Sequence, residues 1–260
     1  MLAPARYGAP VDLGIDGRVA LVMGASRGIG RGIAAALARE GAKVGLASRS
    51  RQALEEAMLE VGFGSVAFEA DTEDLDQVGA LPAEVESELG SIDILITNTG
   101  GPPPGGALDN SVEEWEASYR SLVLAPRVLI GAVVPGMRER GWGRIVNVGS
   151  VSTREPIPYL ALSNAHRMAT VGFFKTLASE LAGDGITVNT VATGRFATAR
   201  LADESGSLEP AEEAARRDVP AGRLGTPEEY GDLVAFLCSE RAAYLTGTVI
   251  PLDGGALRSI

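Results

Sequence analysis

The chain has 260 residues, 45% of them hydrophobic, a formal net charge of −11 and a single cysteine, Cys238. That length and apolar content suit one large core better than several small ones. The negative balance argues against nucleic acid or an anionic membrane as the main partner, because phosphate contacts need a basic face, and one cysteine excludes an internal disulfide and fits a reducing compartment.

Residues 1–17 lack a cationic region followed by a long apolar run, so no secretory signal is expected there. No stretch reaches about 18 consecutive apolar residues, so no bilayer span is expected either. The reading is a soluble, cytoplasmic protein with an arm over 1–15 and a single domain over 16–260.

In chain order, strand and helix patterns alternate. Residues 18–23 form a short apolar run entering a glycine turn. After it Ile29, Ile33 and Leu37 recur every fourth residue, as one face of a helix does, and Gly41 ends that helix. Residues 43–47 predict a second strand, 52–61 a helix, 65–69 a third strand, 75–89 a helix and 92–97 a fourth strand. A long helix is expected over 112–134, then a strand over 144–148 and a helix opening around Ser163. Residues 185–191 and 247–252 complete seven strands. Near-continuous apolar strands separated by helices indicate a parallel sheet covered on both faces, a Rossmann-type doubly wound α/β fold. Between the last two strands, residues 194–219 are acidic, rich in small residues and weakly periodic, which suits a mobile substrate lid.

The first chemical motif is Gly24-Ala25-Ser26-Arg27-Gly28-Ile29-Gly30. Glycines at 24, 28 and 30 let the strand turn tightly, let a pyrophosphate approach the backbone, and set a helix N-terminus behind it as an anion site. Its place between the first strand and first helix predicts dinucleotide binding. The second strand ends in Ala47-Ser48-Arg49, where an NAD-binding protein usually offers a carboxylate to the ribose. With Arg27 able to reach the same point, the guanidinium of Arg49 predicts NADP(H). No metal ligand set is assigned.

From residue 16 onward the sequence resembles the short-chain dehydrogenases/reductases, 3-oxoacyl-acyl-carrier-protein reductases and their relatives in particular. Beyond the glycine loop, Asp71-Thr72 matches the adenine-contacting segment, and Thr97-Asn98-Thr99-Gly100 stands where the family has Asn-Asn-Ala-Gly. Residues 145–150 match the strand bearing the catalytic serine, Ser150. Thr193-Gly194, with Thr198 beyond, corresponds to the segment that touches the nicotinamide, where the family usually has Pro-Gly. The resemblance further implies a small-molecule substrate and a homotetramer, with the helix from Ser163 and the C-terminal strand in its contacts.

The remaining catalytic positions depart from the family. Thirteen residues beyond Ser150, where the family has tyrosine, stands Ser163, and four further on Arg167 replaces lysine; Leu122 occupies the place of the family's asparagine. A serine hydroxyl is a much poorer acid than a phenol of pKa about 10, and guanidinium stays protonated, so neither relays protons as Tyr and Lys do. Arg167 can still hydrogen-bond the cofactor ribose and favour a developing alkoxide. Pro126, four residues beyond Leu122, has no N–H for the Leu122 carbonyl. A water is expected at that freed carbonyl, with a plain helix kink as the alternative.

His166 and Tyr159 could each carry a proton, or could simply pack and line the pocket. The loop 100–106, with three prolines and four glycines, shapes a pocket wall or serves as a rigid connection. Cys238 reads as a small core residue. The leading expectation is an NADP(H)-dependent reductase or dehydrogenase in which Ser150 and Ser163 hold the substrate oxygen and Arg167 supplies charge. The alternative is a catalytically silent dinucleotide-binding protein with a sensing or scaffold role.

Overall fold

A computed structural model describes residues 11–62 and 64–259. Seven strands, β1 (Val19–Met23), β2 (Lys43–Ser48), β3 (Ser65–Glu69), β4 (Ile94–Thr97), β5 (Gly143–Val148), β6 (Ile186–Thr193) and β7 (Val249–Leu252), form one sheet in the order β3-β2-β1-β4-β5-β6-β7. Every pairing is parallel. The central strands β1, β4 and β5 are buried along their whole length, as strands covered on both faces must be. The sheet order reverses direction between β1 and β4, and that switch point opens a crevice at the carboxyl ends of the strands.

Helices α1 (Gly28–Arg39), α2 (Arg51–Val61) and α9 (Pro227–Leu237) pack on one face; α3 (Leu75–Leu89), α5 (Ala125–Arg140) and α6 (Ala161–Leu181) pack on the other. Helices α1 and α9 cross closely because Gly32 and Gly231 meet there. A Cβ at Gly231 would come within 2.4 Å of the Gly32 carbonyl oxygen. Cys238 is fully buried at the end of α9, and burial pushes its thiol pKa up to about 12, so it is a core residue. Arg144 is also buried. Its guanidinium donates to the Ser239, Gly143 and Gly185 carbonyls and lies over the Trp142 ring, which satisfies the charge inside the core.

Several expected elements shift. Strand β4 starts two residues later than expected, since Asp93 is diverted into ion pairs with Arg18 and Arg140. The single helix expected over 112–134 is three pieces in line: α4 (Val112–Tyr119), one wide π turn (Arg120–Leu124) and α5. Together, Val112–Arg140 is long and apolar enough to cross a membrane by length and composition. Its apolar stripe instead packs in the core beside α3 and the sheet. The weakly periodic stretch 194–219 holds two helices, α7 (Ala199–Ser205), capped by Thr198 accepting from the Leu201 N–H, and α8 (Glu209–Asp218). The arm is in part attached to the domain: Ile15 is buried and the Leu13 carbonyl accepts the Glu240 N–H. Residues 1–10 of that arm lie outside the described residues.

Candidate active site

Two adjoining cavities open at the carboxyl ends of the strands. The first, about 520 Å³, runs over the switch point between the glycine turn and the end of β2. Gly24 and Gly28 have φ of 59° and 56°, the left-handed region that lets the chain turn from β1 into α1 without a side-chain clash. Gly30 is buried, and a Cβ there would meet the Gly24 carbonyl oxygen at 2.1 Å, so this glycine permits the close approach of turn and helix. The Asn98 amide donates to the Gly24 carbonyl at 3.3 Å and ties the end of β4 to the turn. Ser26, Arg27, Gly28 and Ile29 line this cavity, as do Ser48, Arg49, Thr72, Asn98, Thr99 and Gly100.

These residues fit a dinucleotide carrying a 2′-phosphate. The buried Oγ of Ser48 has no hydrogen-bond partner in the chain, and Arg49 beside it is exposed into the cavity. A buried hydroxyl left without a partner costs free energy, which a ligand oxygen at that point recovers. Arg27, expected to reach the same phosphate, instead pairs with Asp203 of α7 at 3.0 Å. Asp71 does not line the first cavity. It faces a side cleft of about 210 Å³ shared with Arg49 and Thr72, and its carboxylate accepts the Glu73 N–H.

The second cavity, about 530 Å³, lies beyond the first and holds Ser150 and Ser163 on its wall. Ile29, Gly149, Arg167, Thr193, Thr198 and Arg200 line both cavities and so mark their junction. Gly194 lines only the second. Beneath the junction, Thr97, Asn147 and Thr190 form a buried polar ladder across β4, β5 and β6, with bonds of 3.2 and 3.5 Å. Such a ladder fixes the strand ends from which Ser150 and Thr193 emerge.

Ser150 caps a short 3₁₀ turn (Val151–Thr153), its Oγ accepting the Ser152 N–H at 3.1 Å. With that lone pair occupied, the hydroxyl hydrogen is left to donate into the cavity. Ser163 is buried in the first turn of α6, and Arg167 follows one turn later. The Arg167 Nη1 donates to the Val148 carbonyl at 2.8 Å, which anchors the guanidinium under the end of β5. Burial, with a smaller contribution from the neighbouring Arg200, pushes its pKa down to about 10. At neutral pH it therefore remains a cation. Tyr230 lies fully buried behind it, its hydroxyl 2.9 Å from that of Thr193, and burial raises its pKa.

The other proton-carrier candidates are directed elsewhere. His166 is buried edge-on to Trp115, with ring centroids 5.1 Å apart, and near Tyr119 at 6.0 Å. Burial lowers its pKa and it lines neither cavity. Helix α6 begins at Ala161, too late to include Tyr159. That residue adopts φ 60° and turns a side chain that is 75% exposed outward. Its main-chain carbonyl accepts the Gly105 N–H at 2.7 Å, which joins the loop 100–106 to the start of α6. Gly101 and Pro102 of that loop line the second cavity, so it is a wall.

The freed carbonyl of Leu122 finds a partner in the chain itself. The main chain widens into a π turn at this point, and the Thr170 hydroxyl shares its one hydrogen between Leu122 O at 2.8 Å and His166 O at 2.9 Å. Proline at 126 removes the usual helical donor, and Thr170 replaces it from α6. Sequence reasoning also missed Arg200 and the C-terminal tail. Leu257 lines the second cavity because Glu155 accepts the N–H groups of Arg258 and Ser259 at 2.9 and 2.6 Å.

A seven-stranded parallel sheet with a glycine turn at its switch point defines a dinucleotide-binding α/β domain of the Rossmann type. A family model described as enoyl-(acyl carrier protein) reductase matches residues 24–256. The 3-oxoacyl-[acyl-carrier-protein] reductase FabG of Vibrio cholerae is 36% identical over 244 residues, covering 94% of this chain and 98% of its own. Dehydrogenase/reductase SDR family member 4 of Bos taurus is 36% identical over 252 residues, covering 94% and 88%. Among solved structures, L-sorbose reductase from Gluconobacter frateurii, complexed with NADPH and L-sorbose, superposes with a TM-score of 0.89 at 33% identity. That match covers 96% of this chain and all of the other. The chain belongs to the short-chain dehydrogenase/reductase family.

Proposed function

We propose that this protein is an NADP(H)-dependent oxidoreductase acting on a carbonyl compound, with a site in which Ser163 and Arg167 replace the family's tyrosine and lysine. The observation that carries this reading is Arg167, a cation placed at the junction of the dinucleotide cavity and the cavity holding Ser150 and Ser163. The relatives support it: FabG is a 3-oxoacyl reductase, and the sorbose reductase holds NADPH. When bound, the dinucleotide supplies or accepts a hydride at its nicotinamide. The chain's own residues do the rest. Ser150 and Ser163 donate hydrogen bonds to the substrate oxygen, Arg167 stabilises negative charge on it, and Arg49 with Ser48 holds the 2′-phosphate. Thr193, Gly194 and Thr198 border the nicotinamide end, Asp71 and Thr72 the adenine end, and residues 194–219 act as the lid. A cytoplasmic homotetramer with α6 in its contacts completes the reading.

Consumption of NADPH against a panel of carbonyl compounds tests it, with Ser150→Ala as control. Loss of one donor is expected to lower kcat about 10²-fold or more, and a control that leaves activity intact refutes the assigned site. The cofactor preference rests on Arg49. Charge-assisted hydrogen bonds contribute about 1.5–3 kcal/mol, so Arg49→Ala is expected to raise the Kd for NADPH about 10- to 100-fold and to leave that for NADH unchanged. Equal wild-type affinities for the two dinucleotides would refute the preference.

The silent dinucleotide-binding alternative draws support from one observation: positions 163 and 167 carry neither phenol nor ammonium. Tight NADPH binding with no oxidation by any member of the panel would establish it.

A further inference from the structure

The chain carries 34 acidic against 23 basic side chains, yet its two adjoining cavities reverse that balance. Among the described residues lining the first cavity there are four arginines, Arg27, Arg49, Arg167 and Arg200, and no carboxylate. Arg27 and Arg49 line that cavity and not the second. Arg167 and Arg200 line both, so guanidiniums from two different elements, α6 and α7, converge on the junction. Each has a fixed place there. Arg167 donates to the Val148 carbonyl, and Arg200 lies against the loop 100–106, where a Cβ at Gly101 would collide with its guanidinium.

Like charges held close repel, and the nearness of Arg200 contributes to the lowered Arg167 pKa. The two carboxylates on the wall of the second cavity are committed elsewhere: Glu155 accepts the main-chain N–H groups of the tail, and Asp218 pairs with Arg195 and Arg217. A ligand anion bound beside both guanidiniums offsets the cost of their juxtaposition. A planar carboxylate matches the fork of a guanidinium best. The rest of the second cavity offers the hydroxyls of Ser150 and Ser163 and an apolar wall of Phe196, Leu201, Val219 and Leu257. A ligand that fills this space has an anionic end, a polar group beside it and a hydrocarbon body.

We propose that the substrates of this site are oxo acids, carbonyl compounds that carry a carboxylate, and that Arg200 is the residue selecting for the carboxylate. This rests on the reading above that the second cavity takes a carbonyl compound. The carboxylate binds Arg200 within the field of Arg167, the carbonyl oxygen takes the hydrogen bonds of Ser150 and Ser163, and the hydrocarbon chain packs on the apolar wall. The other anion able to reach Arg200 is the diphosphate of a dinucleotide in the first cavity, so the test separates the two sources.

Octanoate and octanamide, alike in length and different in charge, are the probes for binding without turnover, titrated by calorimetry into NADPH-saturated protein. The wild type is expected to bind octanoate about 10- to 100-fold tighter than octanamide. Arg200→Gln is expected to erase that preference while the Kd for octanamide and the Kd for NADPH stay unchanged, and Tm stays unchanged because Arg200 is exposed. Equal wild-type affinities for the two probes overturn the assignment. A preference that survives in Arg200→Gln beside a weakened hold on NADPH assigns Arg200 to the diphosphate and overturns it as well. In turnover, 2-oxooctanoate is expected to show kcat/KM at least about tenfold above that of 2-octanone, a ratio that collapses in Arg200→Gln through KM. If 2-octanone serves as well as the oxo acid, the oxo-acid assignment falls and the oxidoreductase reading stands. If the octanoate preference holds but neither carbonyl compound oxidises NADPH, the oxidoreductase reading falls and Arg200 stands as the anion site.

Discussion

Replacing Arg167 by methionine is expected to lower kcat/KM by about 10²- to 10³-fold while leaving the protein as stable as before or more so. The first half follows from position: Arg167 is an anchored cation at the junction of the two cavities, where the proposed reading brings the dinucleotide and the substrate oxygen together. Loss of a preorganised donor to a developing oxyanion costs about 2.7–4 kcal/mol. The second half follows from burial. Desolvation pushes the guanidinium pKa down to about 10, so the fold bears a cost for keeping this cation where it is. Methionine fills similar space and removes that cost, against which stands the unpaired Val148 carbonyl, a penalty of about 1–3 kcal/mol. Thermal unfolding beside steady-state kinetics separates the two effects. A variant that loses activity only in step with a large fall in Tm would make Arg167 a structural residue and refute its place in the site.

The strands of the parallel sheet and the glycine turn are legible in the sequence because each is set locally. Buried parallel strands are apolar throughout, helices repeat every fourth residue, and the turn from β1 into α1 needs glycine where φ is positive. Cavity-lining positions at or just past a strand end, such as Ser150, Asn98 and Thr193, are legible for the same reason. Features made by contacts distant in sequence are not. The Thr170 to Leu122 bond joins residues 48 positions apart, and the π turn it accompanies reads as ordinary helix from the apolar pattern alone. Leu257 becomes a cavity wall through Glu155, more than a hundred positions earlier. Arg200 carries no signal beyond being basic in an acidic stretch, and only the docking of α7 brings it to the junction. The direction of Tyr159 depends on a single residue in the left-handed region, which sequence pattern does not reveal.

The paired substitution Ser163→Tyr with Arg167→Lys is expected to raise reduction of saturated ketones by about 10²- to 10⁴-fold, the usual contribution of a positioned acid. Ser163 is buried on the wall of a cavity of about 530 Å³, so a phenol at this position extends into open space and not into the core. One helical turn later, a lysine ammonium lies close enough to lower the phenol pKa from about 10 toward the working range. The single change Ser163→Tyr gains less, because Arg167 stays hydrogen-bonded to Val148 and does not pass on a proton. The Leu122 carbonyl sets the upper limit of the gain. It already accepts the Thr170 hydroxyl, so a proton path from lysine through that carbonyl must compete with an existing bond. Kinetics with cyclohexanone on the wild type, the single variant and the double variant distinguish the outcomes. Alcohol formation that rises only in the double variant identifies proton supply as the step the natural site lacks. Alcohol formation by the wild type as fast as by the double variant would mean that the wild-type site already protonates oxygen by another route.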